Sequence, residues 1–205
     1  MTPDYWPEAC EALSKRCKVM KKLIKTYPEA TLRKRGTPFN TLARAIVGQQ
    51  ISVKAAQAVW NKTVLTVGKM TPANVLAKDT ETLRAAGLSR QKVVYLYDLS
   101  THFLEGRIKP RRFATQDDNA IIKDLTEVKG IGRWTSEMFL MFSLTRPNVW
   151  PVDDIGLIRA LEKFHHDGAR LTKAEVEAYR ERYAPWCTVA TWYFWRSLDP
   201  IPVEY

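Results

Sequence analysis

The sequence predicts an all-α fold, and three observations support this prediction. Along most of the 205 residues, apolar side chains recur at steps of three or four, which places them on one face of a helix. Residues that commonly cap helices precede many of these segments. β-Branched pairs such as Ile46-Val47 and Val93-Val94 occur, but no strictly alternating segment is long enough to predict a strand.

The predicted helices follow one another without a long flexible linker. The first covers residues 7–26, where one face is apolar and the opposite face carries lysines. Its apolar positions are Cys10, Leu13, Cys17, Met20, Leu23 and Ile24. Further helices are expected near residues 41–49, 52–66, 72–77, 80–86, 90–105, 117–126, 133–145, 154–165, 173–183 and 187–197. The predicted N-caps are Asn40, Thr71, Asp79, Ser89, Asp153 and Thr172.

Length and composition predict a single folded domain over residues 1–205. A chain of 205 residues can bury one sizeable core, with two lobes rather than two independent domains. Hydrophobic residues make up 45%, and only 9 glycines and 11 prolines occur, which is typical of a globular protein.

The net charge indicates a polyanionic partner. Lysine and arginine exceed aspartate and glutamate by ten, which gives a formal charge of +10. Nucleic acid is the first candidate for such a partner. A generally basic surface without a nucleic-acid partner is the alternative, and charge alone leaves both interpretations open.

No membrane span or secretion signal is predicted. The longest dense apolar cluster, Met138 to Leu144, contains a serine and is far shorter than the ~20 residues that a bilayer requires. The N-terminal residues MTPDYWPEAC are neither basic nor continuously apolar. We therefore expect a cytoplasmic protein, or a nuclear one if the source is eukaryotic.

Cysteine and histidine do not predict a metal cluster. Cys10, Cys17 and Cys187 form no CxxC pair and are too few for a four-cysteine iron–sulfur or zinc site. His165 and His166 stand beside Asp167-Gly168, a turn signal, and are expected on the surface.

The stretch LTEVKGIGRWTSEMFLMF, Leu125 to Phe142, has the form of a DNA-binding helix-hairpin-helix, which spans about 117–145. Gly130 and Gly132 can adopt backbone angles closed to other residues and allow another backbone to approach. The N–H groups of the turn and the start of the next helix suit a phosphate. Lys129 and Arg133 flank that point with positive charge. An ordinary helix–turn–helix connection with glycine after the first helix is the alternative.

A second stretch, NVWPVDDIGLIRAL, places two carboxylates at a helix start. Pro147 and Pro151 fix the path of the chain before it. Two adjacent aspartates cannot both cap the same helix. We assign the cap to Asp153, which leaves Asp154 able to face a cleft.

Together these residues resemble the helix-hairpin-helix (HhH-GPD) DNA glycosylase superfamily. VKGIGRWTSEMFLMF followed by PVDDIGLIRAL matches its hairpin and Gly/Pro…Asp signature. RGTPFNTLARAIVGQQISVKAAQAVW and PWCTVATWYFWRSL are similar to the 3-methyladenine DNA glycosylase II branch. The resemblance implies an all-α, two-lobed fold with the active-site cleft between helical lobes. The N-terminal β-domain of larger relatives is expected to be absent.

The resemblance assigns the chemistry to Asp154. Enzymes of this family flip a damaged nucleotide out of the duplex and hydrolyse its N-glycosidic bond. Asp154 matches the catalytic aspartate, which would stabilise the oxocarbenium-like sugar and orient or deprotonate water. In relatives that also cut the strand, a lysine forms a Schiff base where this chain has Trp134. The resemblance therefore implies a monofunctional enzyme that leaves an abasic site.

The substrate pocket is implied to include four residues: Trp134, Met138, Trp192 and Trp195. Trp134 offers a π face to a cationic alkylated base. Met138 stands where the family can have tyrosine, and Trp195 aligns with a pocket-lining tryptophan. For each of these aromatic residues, a plain core position is the alternative.

Further contacts to double-stranded DNA are implied at two turns. In the hairpin they involve Lys129, Gly130, Ile131, Gly132, Arg133 and Thr135. A wedge that fills the gap left by the flipped nucleotide is expected at Gln49, Gln50 or Ile51, although capping could also explain the two glutamines. A structural Na⁺ or K⁺ ion on the backbone carbonyls of Thr126, Val128 and Ile131 is also implied. No other cofactor is expected, and the enzyme is expected to act as a monomer.

Two other functions remain open at the level of the sequence. One is a glycosylase for oxidised or deaminated bases, although many of those use the hairpin lysine or a C-terminal metal cluster. The other is a non-catalytic helix-hairpin-helix protein that only binds DNA.

Overall fold

The computed structural model describes residues 2–34 and 36–199, which contain helices and no strand. The all-α prediction is confirmed. Arg35, the first residue of the segment that resembles the family, lies outside the described residues. The helices are α1 Trp6–Arg16, α2 Lys18–Thr26, α3 Pro38–Gly48, α4 Val53–Val67, α5 Pro72–Leu76, α6 Thr80–Ala85, α7 Arg90–Leu104, α8 Asp118–Thr126, α9 Arg133–Phe142, α10 Ile155–His165, α11 Lys173–Ala178, α12 Arg180–Tyr183 and α13 Cys187–Leu198.

The chain divides into two compact units. The terminal unit comprises residues 2–34 and 140–199, and the central unit comprises residues 36–139. In the terminal unit, α13 packs against α1, α2, α10 and α12. In the central unit, α7 packs against α3, α5 and α6. The assignment of residues 1–205 to a single domain stays a prediction.

Each unit has its own apolar core. The terminal core includes the fully buried side chains Leu13, Met20, Tyr183, Tyr193 and Phe194. The central core includes Leu42, Ile46, Leu83, Leu96, Leu99 and Phe139. No helix in the described part of the chain combines the length and apolar character needed to cross a bilayer.

The single helix predicted over residues 7–26 is wrong, because the chain breaks at Cys17. This residue has extended angles, φ −139° and ψ 118°, and separates α1 from α2. Its side chain stays buried at 2% exposure. The apolar periodicity therefore continues across the break, which hides it from a pattern search. The predicted helix over 173–183 likewise divides into α11 and α12.

Four of the six predicted N-caps are confirmed: Thr71, Asp79, Ser89 and Thr172. Asn40 is wrong, because Thr37 caps α3 and its side chain accepts a hydrogen bond from the Asn40 N–H. The helix begins earlier than predicted since Pro38 occupies its first position, where proline fits well. Ser52 and Asp117 cap α4 and α8.

The surface position expected for His165 holds only in part, because the residue is half-buried. Its Nε2 lies 2.6 Å from the hydroxyl of Tyr183, and its ring contacts Tyr179 and Phe194. Burial, together with the charge of Arg182, lowers the pKa of His165 to about 4. Because burial raises the pKa of Tyr183, its hydroxyl stays protonated, and the tautomer of the neutral histidine sets which of the two groups donates.

Candidate functional site

The predicted hairpin is present between α8 and α9. Residues 127–132 form the hairpin turn, in which Val128 and Ile131 are buried at 1% and 4% exposure. The Val128 N–H donates to the carbonyl of Leu125, and the Ile131 N–H donates to the carbonyl of Val128, each at 3.1 Å. Two buried side chains and two internal hydrogen bonds thus fix the shape of the turn.

The two glycines of the turn have different roles. Gly130 has φ +84°, and an added Cβ would lie 2.1 Å from the ring of Tyr95. Gly130 is therefore required by the fold itself. Gly132 does not use the backbone freedom of glycine, since its φ lies outside the left-handed region, and nothing stands within 4 Å of an added Cβ. The surroundings of Gly132 are open.

The prediction that the turn's amides are free as a group is wrong, because the Val128 N–H already donates to Leu125 and further amides are taken as well. The Lys129 N–H donates to Asp98 Oδ2 at 2.9 Å, and Asp98 belongs to α7. The Ile131 N–H is taken by the Val128 carbonyl. Both bonds stiffen the turn, but neither amide can serve a phosphate while they last.

The charged residues of the hairpin remain accessible. Lys129 is exposed. The side chain of Arg133 is 56% exposed, and its Nε donates to Glu137 Oε1 at 2.9 Å. Thr135, by contrast, is buried at 8% exposure. The predicted DNA contact of Thr135 would therefore be made by its main-chain atoms at the start of α9, not by its side chain.

The wedge turn, residues 49–52, connects α3 to α4 and presents its members differently. Gln49 is half-buried, and its Nε2 donates to the carbonyl of Gly130 at 2.7 Å. Gln50 is exposed and has φ +59°, a left-handed angle that is uncommon outside glycine. Ile51 is 40% exposed. Two of the three wedge candidates, Gln50 and Ile51, therefore face outward, while Gln49 faces the hairpin.

At the helix start near residue 154, the assignment of the two aspartates is reversed. Asp154, not Asp153, caps α10, and its Oδ1 accepts from the Leu157 N–H at 2.7 Å. The same oxygen accepts from Trp195 Nε1 at 2.8 Å. Asp153 pairs with Lys173 at 2.6 Å and leaves half of its side chain exposed. Asp154 is 7% exposed, so the buried neighbour of the pair takes the capping role, and the predicted cleft position of Asp154 stays a prediction.

A residue that sequence reasoning missed, Gly156, allows the Asp154–Trp195 contact. A Cβ at this position would lie 2.9 Å from Trp195 Cδ1 and 3.1 Å from Asp154 Oδ1. Trp195 in turn stacks on Phe142, with ring centroids 6.2 Å apart and planes 10° apart. The only signal in the sequence is a glycine inside an apolar helical pattern, which a packing requirement explains.

The other predicted pocket residues differ in exposure. Trp134 is 36% exposed, so the core alternative does not hold for it. Met138 and Trp192 are buried at 6% and 5%. Trp192 packs edge-on against Phe142, and the Arg196 guanidinium lies 4.9 Å from the centre of its ring. The pocket roles of Met138 and Trp192 stay predictions.

Comparison with known proteins relates the chain to DNA repair enzymes. Residues 43–185 match the HhH-GPD superfamily of base excision DNA repair proteins. DNA-3-methyladenine glycosylase 1 of Schizosaccharomyces pombe is 35% identical over 190 residues, which cover 90% of this chain and 83% of that protein.

Two solved structures share the fold, each with a TM-score of 0.82. DNA-3-methyladenine glycosidase from Bacillus halodurans is 31% identical, and the alignment covers 97% of this chain and 92% of that one. The 3-methyladenine DNA glycosylase of Schizosaccharomyces pombe, in complex with abasic DNA, is 30% identical over 97% of this chain and 99% of that one. The matched residues contain the hairpin and Asp154, which confirms the resemblance: the chain belongs to the HhH-GPD superfamily of base excision DNA repair proteins.

Proposed function

We propose that this protein is a monofunctional DNA glycosylase that removes alkylated purines of the 3-methyladenine and 7-methylguanine type from double-stranded DNA. It would hydrolyse the N-glycosidic bond and leave an abasic site. Relatives that carry the name DNA-3-methyladenine glycosylase support the substrate class. The observation that carries the proposal is the arrangement of Asp154, whose Oδ1 accepts from the Leu157 N–H and from Trp195 Nε1.

Asp154 supplies a fixed negative charge in this proposal. The two N–H donors and the N-terminal end of α10 orient the carboxylate before the substrate arrives. As the base departs, positive charge develops on the sugar, and an oriented carboxylate stabilises it without reorganisation. The same group orients or deprotonates the attacking water.

Aromatic side chains would recognise the lesion. An alkylated purine carries positive charge, which makes it a good leaving group and attracts it to a π face by ~0.5–2 kcal/mol. Trp195, stacked on Phe142, holds such a face beside Asp154. Trp134, 36% exposed at the start of α9, offers another. A tryptophan at this position has no amine for a Schiff base, so no strand cleavage is expected.

The hairpin would hold the DNA backbone. Gly132 stands in open surroundings, so a phosphodiester can approach its main chain closely. Lys129 and Arg133 add positive charge beside it. The wedge proposed for the gap in the duplex is Gln50 or Ile51, the exposed members of the wedge turn.

A monovalent cation fits the chemistry of the hairpin turn. Backbone carbonyls, such as those of Thr126, Val128 and Ile131, suit Na⁺ or K⁺, and the turn is held rigid by buried Val128 and Ile131. When bound, the ion would add positive charge near the phosphate. The residues themselves orient the backbone whether or not they share an ion.

The partner is proposed to be double-stranded DNA with a damaged base, bound by a monomer. Its activity would take place where the cell keeps its DNA, in the cytoplasm or in a eukaryotic nucleus. Sedimentation of the protein with and without a lesion duplex tests the monomeric state.

Asp154→Asn tests the mechanism. Asparagine is a good N-cap and retains the Oδ1 acceptor, so the variant is expected to fold like the wild type. Release of 3-methyladenine and 7-methylguanine from alkylated DNA should fall by at least about 100-fold, because the charge opposite the oxocarbenium ion is lost. Chromatography of released bases under single-turnover conditions measures this rate.

Four outcomes would contradict the proposal, each in a different way. Wild-type activity in Asp154→Asn would show that the mechanism is wrong. Tight binding by the wild type with no base released from any lesion duplex would favour a non-catalytic DNA-binding protein. Release of oxidised or deaminated bases alone would change the substrate class. A covalent enzyme–DNA complex after borohydride treatment would show that the enzyme is not monofunctional.

A further inference from the structure

One side chain joins the two turns of the central unit that the proposed function brings to DNA. Gln49 Nε2 in the wedge turn donates to the Gly130 carbonyl in the hairpin turn at 2.7 Å, across 81 residues of sequence. The residue that follows, Gln50, holds the left-handed angle φ +59° and is exposed. A residue other than glycine keeps such an angle only when its surroundings hold it there.

Helix α7 supports both turns along one face. Lys92, Tyr95 and Asp98 are spaced three residues apart and therefore lie on the same side of the helix. Lys92 Nζ donates to the carbonyl of Val47 at 2.7 Å, two residues before Gln49. The Tyr95 ring packs against Gly130, and Asp98 accepts from the Lys129 N–H at 2.9 Å.

These contacts connect α7, the wedge turn and the hairpin turn to one another. From α7 one path leads through Lys92 to the end of α3 and the wedge turn. The other leads through Tyr95 and Asp98 to the hairpin turn. The Gln49–Gly130 hydrogen bond joins the wedge turn directly to the hairpin turn.

We propose that Gln49 is a positioning residue that fixes the wedge turn against the hairpin turn, so that Gln50 and Ile51 are held ready for insertion while the hairpin holds the DNA backbone. This inference rests on the proposed function and names how the two contacts act together. Gln49 is not itself the wedge. Preorganisation of this kind favours the complex in which the wedge is inserted and adds little to contacts with an intact duplex.

The test measures the affinity of the 205-residue chain for two duplexes of one sequence, one undamaged and one with a tetrahydrofuran abasic analogue. Gln49→Met keeps the length of the side chain but removes the donor. Loss of one hydrogen bond should reduce the preference for the abasic duplex about three- to tenfold, with the affinity for the undamaged duplex and the thermal unfolding midpoint unchanged. Fluorescence of a 2-aminopurine opposite the abasic analogue should report less insertion of the wedge.

Gln57→Met is the matched control. Gln57 lies on α4, exposed, and bonds Arg44 and Asn61 within the same unit. The same substitution there removes two surface hydrogen bonds without touching either turn. The preference for the abasic duplex should stay at the wild-type value.

A double-mutant cycle separates positioning from direct contact. Asp98→Ala releases the Lys129 N–H and loosens the hairpin turn from α7. If Gln49 acts through the hairpin, its substitution should cost little more in this background. Additive losses would show that Gln49 touches the DNA directly and would overturn the inference.

Equal losses for both duplexes, with a lower unfolding midpoint, would also overturn the inference, since they indicate a merely structural role. An unchanged preference for the abasic duplex in Gln49→Met would also overturn the inference. This single variant is a sufficient test if Asp98→Ala does not fold. A wild-type protein that fails to prefer the abasic duplex would instead count against the proposed function.

Discussion

Gly156 controls the hydrogen bond on which the proposed chemistry depends. The indole of Trp195 reaches Asp154 because position 156 has no side chain. The backbone angle at Gly156 lies outside the left-handed region, so its constraint is steric rather than conformational. Any side chain there must displace either the indole or the carboxylate.

Gly156→Ala is therefore expected to reduce the rate of base release about tenfold or more, since a hydrogen bond to a charged group is lost or distorted. Helix propensity favours alanine at this position, which offsets part of the strain on folding. Trp195→Phe, which removes Nε1 and keeps a ring, is the matched variant and should lose a similar factor. Single-turnover excision rates and thermal unfolding of both variants measure the effects. Wild-type activity in Gly156→Ala would show that this contact is dispensable.

Residue-level prediction failed where neighbours of one type compete for one role. Nothing in Asp153-Asp154 shows which carboxylate caps α10, because the answer depends on Lys173 and Trp195, distant in sequence. The catalytic role of Asp154 stays a prediction that rests on the family resemblance, because the capping argument that also favoured Asp154 is wrong. For His165, the turn signal beside it was real, but the Tyr183 hydroxyl that buries it lies 18 residues away.

At the level of elements, the hairpin turn combines a glycine that the fold needs with one that the fold does not. Gly130 is fixed by its positive φ and by the Tyr95 ring. No described protein atom constrains Gly132 in the same way. The close approach of a phosphodiester, as proposed for this turn, is the constraint that we expect at Gly132.

Gly132→Ala should leave the unfolding midpoint nearly unchanged and weaken DNA binding about tenfold, because the added methyl group separates the turn from the phosphate. Gly130→Ala should lower the stability by about 1–3 kcal/mol, from the strained backbone angle and the contact with Tyr95. Chemical denaturation and duplex titration of the two variants form the test. Equal stability losses would contradict the distinction.

The contact between α10 and α12 predicts a pH effect on stability. The pKa of His165 falls from about 6.5 to about 4 on folding, so the unfolded chain binds more protons between these values. The contribution of neutral His165 to the free energy of unfolding is therefore fully present above pH 6.5. It is lost as the pH falls from 6.5 toward 4. For this half-buried ring, solvent screening limits the loss to about 1 kcal/mol near pH 5.

His165→Gln tests this effect, because glutamine can still accept from the Tyr183 hydroxyl but does not titrate. Between about pH 7 and about pH 5 the wild type should lose more stability than the variant, measured by chemical denaturation at each pH. Parallel pH profiles would show that His165 titrates normally.

Helices were predictable because local signals suffice for them. Four N-caps, and with them the N-terminal ends of the helices, follow from a Ser, Thr or Asp before an apolar-periodic run. The break at Cys17 was not predictable, since the buried cysteine keeps the apolar period intact on both sides. The contacts of the turns were still harder to predict from the sequence, because the Gln49–Gly130 and Asp98–Lys129 hydrogen bonds join residues 81 and 31 positions apart.

For the whole molecule, the formal charge of +10 favours association with DNA irrespective of sequence. Each phosphate contact that displaces a counterion contributes ~0.9 to the slope of log affinity against log salt concentration. Binding to an undamaged duplex should therefore weaken steeply as salt increases.

Lys129→Gln should reduce this slope by about one, while Lys15→Gln, at a residue of α1 paired with Glu11, should leave it unchanged. Titrations of a labelled duplex at several salt concentrations give the slopes. An identical slope for Lys129→Gln and wild type would remove Lys129 from the phosphate contacts.

Family membership was predictable from the sequence as a whole, because the hairpin and the aspartate signature are contiguous and specific. The comparisons confirm it over residues 43–185. Two lobes were predicted, but the residues of each compact unit were not, since the unit of residues 2–34 and 140–199 joins two segments remote in the chain.

The Asp154 carboxylate caps α10 and is also assigned the chemistry. Substitutions at this position that abolish activity therefore differ in their effect on the fold. Alanine at position 154 would remove the helix start along with the reaction, whereas asparagine, serine or threonine would spare the former. Descendants that abandon catalysis but persist as DNA-binding scaffolds should therefore carry one of those three residues, and they would lose activity through one side chain without damage to the fold.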